Sequence, residues 1–134
     1  MNKGASGQFS NEQQGWIMRI LDRIFAIVLL LGAVGHTFGS IRAYSDQPLP
    51  LFWALNASVL VALLGVLNLV RARRPSDRVL AWITAAGTLC WLIGSIIFGM
   101  LIGHPLDPRV LTFLVVSAGL LLFSVRTAVN PASA

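Results

Sequence analysis

Carboxylates are scarce in this chain: 134 residues hold five acidic side chains against ten lysines and arginines. The single glutamate, Glu12, lies in the polar N-terminal stretch, and Asp22, Asp46, Asp77 and Asp107 all fall near the ends of long apolar runs. Carboxylate-driven proton coupling across a membrane is therefore not expected. One cysteine, Cys90, excludes an intramolecular disulfide and any CxxC redox pair. It sits within an apolar run and reads as a small buried hydrophobe. No Ser, Thr or His has a carboxylate partner at suitable depth, which argues against hydrolytic chemistry. Charge of either sign is thin, 11% of residues, where soluble domains carry roughly 25%.

Apolar side chains are what the sequence does have, at 56%. So short a chain has no water-soluble core large enough to hide them, and lipid is the natural solvent. Ile24 to Ile41 runs eighteen residues without a formal charge, and about 20 residues at ~1.5 Å rise cross a ~30 Å hydrocarbon layer. Three more uncharged runs follow, at 51–70, 79–106 and 110–125. The pattern predicts an all-α, antiparallel four-helix membrane bundle with spans near 20–42, 50–71, 77–103 and 108–126.

The punctuation agrees with four spans. Residues 1–14 are polar, without the apolar core of a cleavable signal, and are expected to be a disordered tail. Ser10 and Gln13 have capping-box spacing, and Trp16 reads as a headgroup-level anchor of a short amphipathic turn. Pro48 and Pro50 separate spans one and two, and Pro75 breaks the chain after Arg71, Arg73 and Arg74. Ser76 or Asp77 is placed to cap span three. Gly103 and Pro105 stop it near His104, and Asp107-Pro108 opens span four. A short tail, 129–134, follows.

Four spans put both termini on one side. That side collects Lys3, Arg19, Arg23, Arg71, Arg73, Arg74, Arg78 and Arg126, leaving Arg42 and Arg109 opposite. The positive-inside rule then predicts cytoplasmic termini and an inner-membrane protein of bacterial type. The basic residues mark topology, not nucleic-acid binding. The group Arg71, Arg73, Arg74 and Arg78 is a candidate patch for anionic lipid or a partner.

His36 stands in span one, roughly 9 Å below Arg42 at helical rise, and an intramembrane histidine is a functional candidate by default. Asn56 enters span two at similar depth, so a hydrogen bond from His36 to Asn56 is expected. Thr37, Ser40, Trp91 and Ser95 complete a candidate outward-facing ligand pocket around that pair. Gly32, Gly35 and Gly39 on span one, and Ser95, Gly99 and Gly103 on span three, offer small-residue faces for close helix approach. His104 belongs to the membrane surface, so its depth does not match that of His36. A bis-histidine haem and a single metal ion are both disfavoured.

Known four-span families can be tested residue by residue. Small multidrug transporters use an intramembrane glutamate, and the only glutamate here is Glu12. Quinone-linked disulfide oxidases use cysteine pairs, and Cys90 is alone. Dual-topology fluoride channels lack the marked charge bias seen here. The span count is similar to that of small DoxX-like bacterial membrane proteins, but no motif is shared and no family follows.

The leading expectation is a non-enzymatic accessory or assembly subunit of a larger membrane complex. It would contact lipid and a membrane partner, or itself, through its glycine-rich faces. An alternative is a small-molecule or lipid binder or transporter built on the His36 pocket. A haem or quinone electron carrier is a third; no resident cofactor is expected.

Overall fold

The computed structural model describes residues 3–130, with side chains described from Gly15 onward. It is all-α, with four helices: α1 (Lys3–Tyr44), α2 (Pro48–Arg73), α3 (Arg78–Leu101) and α4 (Pro108–Val129). The α1 backbone is helical from Lys3, ahead of the start expected at Ser10. The side chains of the Ser10–Gln13 box lie outside the described residues, as does the end of the tail, 131–134.

Local chemistry sets the boundaries. Pro48 opens α2 and Pro108 opens α4, where a missing N–H costs nothing. Asp77 caps α3 by accepting from the Leu80 amide at 2.9 Å, and Asp107 accepts from the Arg109 amide at 2.8 Å. At the far end of α3 the Ile102 amide reaches the Phe98 carbonyl at 3.1 Å, and Gly103 then turns left-handed at φ +70°. A side chain there would strain the backbone, so glycine stops the helix at Leu101. The uncharged run continues to Leu106, but the helix does not.

α2, α3 and α4 are each long and apolar enough to cross a membrane, and they point to a membrane protein. Only 22%, 28% and 33% of their most apolar windows is buried, so most of their apolar surface faces outward. Neighbours are antiparallel. His36 near the end of α1 meets Ser58 near the start of α2, while Asp22 meets Arg71 at the opposite end. Likewise Thr84 meets Ser124, and Gly99 would bring a Cβ to 3.0 Å from Val110. α1–α2 and α3–α4 form the two most extensive interfaces, and α1–α4 and α2–α3 close the ring.

Ala26, Leu29, Ala33, Val61, Leu64, Val116 and Leu120 form the core, with Phe25, Trp91 and Phe113 against it. Glycine permits the closest approaches. A Cβ at Gly65 would lie 2.7 Å from Leu30, at Gly32 2.9 Å from Phe113, and at Gly119 2.1 Å from Phe25. The sequence grouped Gly32 with Gly35 and Gly39, but the helix divides them: Gly32 packs inward, and nothing lies within 4 Å of a Cβ at Gly35 or Gly39. On α3, Ser95 and Gly99 are buried while Gly103 belongs to the turn. Cys90 is exposed and not buried as expected. An apolar residue is equally soluble on the lipid side of a membrane helix, so hydrophobicity alone does not fix its azimuth.

Candidate functional site

The most elaborate chemistry lies at the arginine-rich end of the bundle. Arg71, in the last turn of α2, is 1% exposed. A guanidinium has five N–H donors and no acceptor, so burial demands several partners. Its Nη2 donates to Asp22 Oδ1 on α1, forming an ion pair. Nη1 donates to Thr127 Oγ1 on α4 at 3.2 Å, and Nε and Nη2 reach Asn68 Oδ1 at 3.4 and 3.3 Å.

Asn68 relays this arrangement toward the centre. Its Oδ1 also accepts from Ser124 Oγ at 3.2 Å, and its Nδ2 donates to the Leu64 carbonyl at 2.9 Å and to Thr88 Oγ1 at 3.3 Å. Those donors and acceptors fix which way the amide points. Thr84 Oγ1 meets Ser124 Oγ at 3.4 Å and also bonds the Leu80 and Ala81 carbonyls at 3.0 Å. All four helices thus contribute to one polar lattice: Asp22, Asn68 and Arg71, Thr84 and Thr88, Ser124 and Thr127.

A cleft of about 50 Å³ opens onto this lattice. Asp22, Arg71 and Thr127 line it, with Arg19 and Arg126 and the apolar Met18 and Phe123. The expected basic patch is therefore divided. Arg71 is a buried structural ion, not a lipid-facing one, because Asp22 draws it inward. Arg73 and Arg74 are exposed, and Arg78 donates from Nε to the Ala128 carbonyl at 3.0 Å.

The opposite half of the bundle holds the residues picked from the sequence, but not as one pocket. His36 does bond across to α2, yet its partner is Ser58, at 2.8 Å from Nδ1, and not Asn56. Asn56 is exposed and donates to its own helix at the Phe52 carbonyl, 2.8 Å away. Two residues turn a helix by ~200°, so Asn56 and Ser58 share a depth and face opposite ways. Ser40 Oγ approaches His36 Nδ1 at 3.4 Å, while Thr37 donates to the Ala33 carbonyl at 2.9 Å. Ser58 Oγ also lies 3.2 Å from the Ala54 carbonyl, and the imidazole tautomer sets which atom donates in the shorter bond.

Ser95 turns back to the Trp91 carbonyl at 2.9 Å, and the Trp91 ring packs edge-on against Phe113 at 5.8 Å. Trp91 Nε1 and the fully buried Ser117 Oγ lack a hydrogen-bond partner among the described residues. The register that joins Thr84 to Ser124 and Gly99 to Val110 brings these two level with each other. Among the described residues no three His, Cys, Asp or Glu side chains converge, and His104 lies in the exposed turn after α3.

At the loop end Arg109 grips Asp107 through Nε at 3.0 Å and Nη2 at 2.9 Å. These bonds, with that from the Arg109 amide, hold the Asp107 carboxyl down at about 2.

The lattice residues Asn68, Thr84, Thr88, Ser124 and Thr127 were not singled out from the sequence. Their signal was present: polar residues three or four apart near the same end of three apolar runs, as in Asn68–Arg71, Thr84–Thr88 and Ser124–Thr127. The chain matches no family model, no curated protein and no solved structure.

Proposed function

We propose that this chain is a non-enzymatic, four-span inner-membrane protein that serves as an accessory or assembly subunit of a larger membrane complex. In this reading α1 crosses the bilayer with the other three helices through its uncharged run, 24–41. The eight-to-two division of basic residues supports cytoplasmic termini in a bacterial-type cell.

One observation carries the assembly role. Gly35 and Gly39 are exposed on α1, and a Cβ on either would meet nothing within 4 Å. Ala43 continues that four-residue spacing on the exposed side. Bundle packing uses Gly32, Gly65 and Gly119, so the GxxxG face of α1 is left over. In a membrane such faces let a second helix approach closely enough for backbone-to-backbone van der Waals contact. A similar stripe, Ala86, Cys90 and Gly94, is exposed on α3. The polar lattice around Arg71, by contrast, is bonded within the bundle.

Mild-detergent extraction of the tagged full chain, followed by mass spectrometry, tests this reading. One dominant co-purifying membrane protein, or a discrete homo-oligomer, is expected. The double variant Gly35→Leu with Gly39→Leu should lose it while keeping its helicity. A lone monodisperse species from the wild-type chain would sink the assembly role. A terminal tag reachable from outside intact cells would sink the topology.

A further inference from the structure

The lattice leaves part of its cleft unused. At the floor, Arg71 is matched in charge by Asp22, so no further ion is needed there. At the mouth, Arg19 and Arg126 are exposed and make no hydrogen bond or ion pair among the described residues. The two arginines come from different helices, α1 and α4, yet both line the same opening. Its volume of about 50 Å³ is several times the ~10–15 Å³ that admits one water.

The walls are mixed. Met18 and Phe123 supply apolar surface beside the arginines. Trp16, one turn before Arg19, is 61% exposed, as suits a residue in the headgroup layer. Arg19 stands five residues before the first uncharged run opens at Ile24, and Arg126 directly follows the last. The opening thus lies where headgroups meet hydrocarbon, given the four-span reading above, on which this inference rests. Two arginines at one opening favour a phosphate, which a guanidinium can bind in bidentate fashion.

We infer that Arg19 and Arg126 clamp the phosphodiester of an anionic lipid of the cytoplasmic leaflet at the mouth of this cleft, with Met18 and Phe123 flanking its glycerol end. Arg73 and Arg74, exposed but outside the cleft, take no part.

Native mass spectrometry of the detergent-purified full chain, with equal phosphatidylglycerol and phosphatidylcholine added, tests the site. Wild type should retain phosphatidylglycerol preferentially. Arg19→Gln and Arg126→Gln should each weaken retention about fivefold, the ratio matching ~1 kcal/mol per basic residue at an anionic surface. Arg73→Gln with Arg74→Gln should leave it unchanged, and circular dichroism should show equal helicity throughout. Equal retention of the two lipids, or an equal loss in the Arg73/Arg74 variant, overturns the site. Full displacement of the lipid by excess inorganic phosphate overturns the lipid and assigns the clamp to the free ion. The Gly35 and Gly39 variant leaves this cleft untouched, so partner loss and lipid loss are read separately.

Discussion

The guanidinium of Arg71 on α2 is bonded to the carboxylate of Asp22 on α1, and neither reaches the surface freely: their side chains are 1% and 11% exposed. Two opposite charges placed together inside a bundle depend on one another. Removing one strands the other in a medium where solvation is poor.

Asp22→Ala is accordingly expected to destabilise the bundle by about 3–5 kcal/mol, and Arg71→Ala by a similar amount. The double variant Asp22→Leu with Arg71→Met should recover most of that loss, because no unpaired charge remains. Unfolding in mixed micelles measures all three. A double variant as unstable as the sum of the singles would refute the coupling.

Across the other end, Ser58→Ala should cost more than Asn56→Ala. Ser58 shares a hydrogen bond with His36 Nδ1, whereas Asn56 bonds only its own helix. Interhelical hydrogen bonds in membranes average ~0.6 kcal/mol and reach ~1.7, so the expected difference lies within that interval. Equal costs in the same unfolding assay would return His36 to the partner first expected.

Ser117→Ala should leave stability unchanged or raise it. The hydroxyl is fully buried without a partner among the described residues, and its removal ends a desolvation cost of about 1–3 kcal/mol. A marked loss of stability would reveal a partner for that oxygen, such as a water shared with Trp91 Nε1.

Gly119→Ala should open the α1–α4 interface, since the new methyl would lie 2.1 Å from the Phe25 ring. Overpacking of this kind costs typically ~1–3 kcal/mol. Phe25→Leu in the same chain should relieve it. Thermal unfolding of single and double variants provides the readout.

The N-cap of α4 should resist acid. Asp107 has its folded value depressed to about 2 by the bonds from Arg109, so its contribution is present above the ordinary carboxylate value. It is lost only as pH falls through about 2. Carbon NMR of the Asp107 carboxyl should show that midpoint, and Arg109→Gln should move it upward. A midpoint near 4, the usual unperturbed value, would contradict the paired cap.

Depth was legible in the sequence, and azimuth was not. The apolar runs and their proline, aspartate and glycine punctuation located α2, α3 and α4 and the caps at Asp77 and Asp107. They also set His36 against the start of α2. Rotation about each axis is another matter, because lipid and core are both apolar and the helices are hydrophobic all round. That is why Asn56 stood in for Ser58, and why Arg71 was grouped with Arg73 and Arg74. The Ser and Thr lattice was hidden for a related reason. Such hydroxyls routinely bond their own preceding turn, as Thr37 and Ser95 do, and taken singly, apart from their spacing, Thr84 and Ser124 look no different.

The ionic link between the first two helices also orders events during synthesis. Asp22 leaves the ribosome forty-nine residues ahead of its counter-charge. In the four-span reading proposed above, Arg71 reaches the cytoplasmic boundary only after α2 has crossed back, so Asp22 stays without its counter-charge until then. The hairpin of α1 and α2, and not either helix singly, is then the smallest piece of this protein in which both charges are answered.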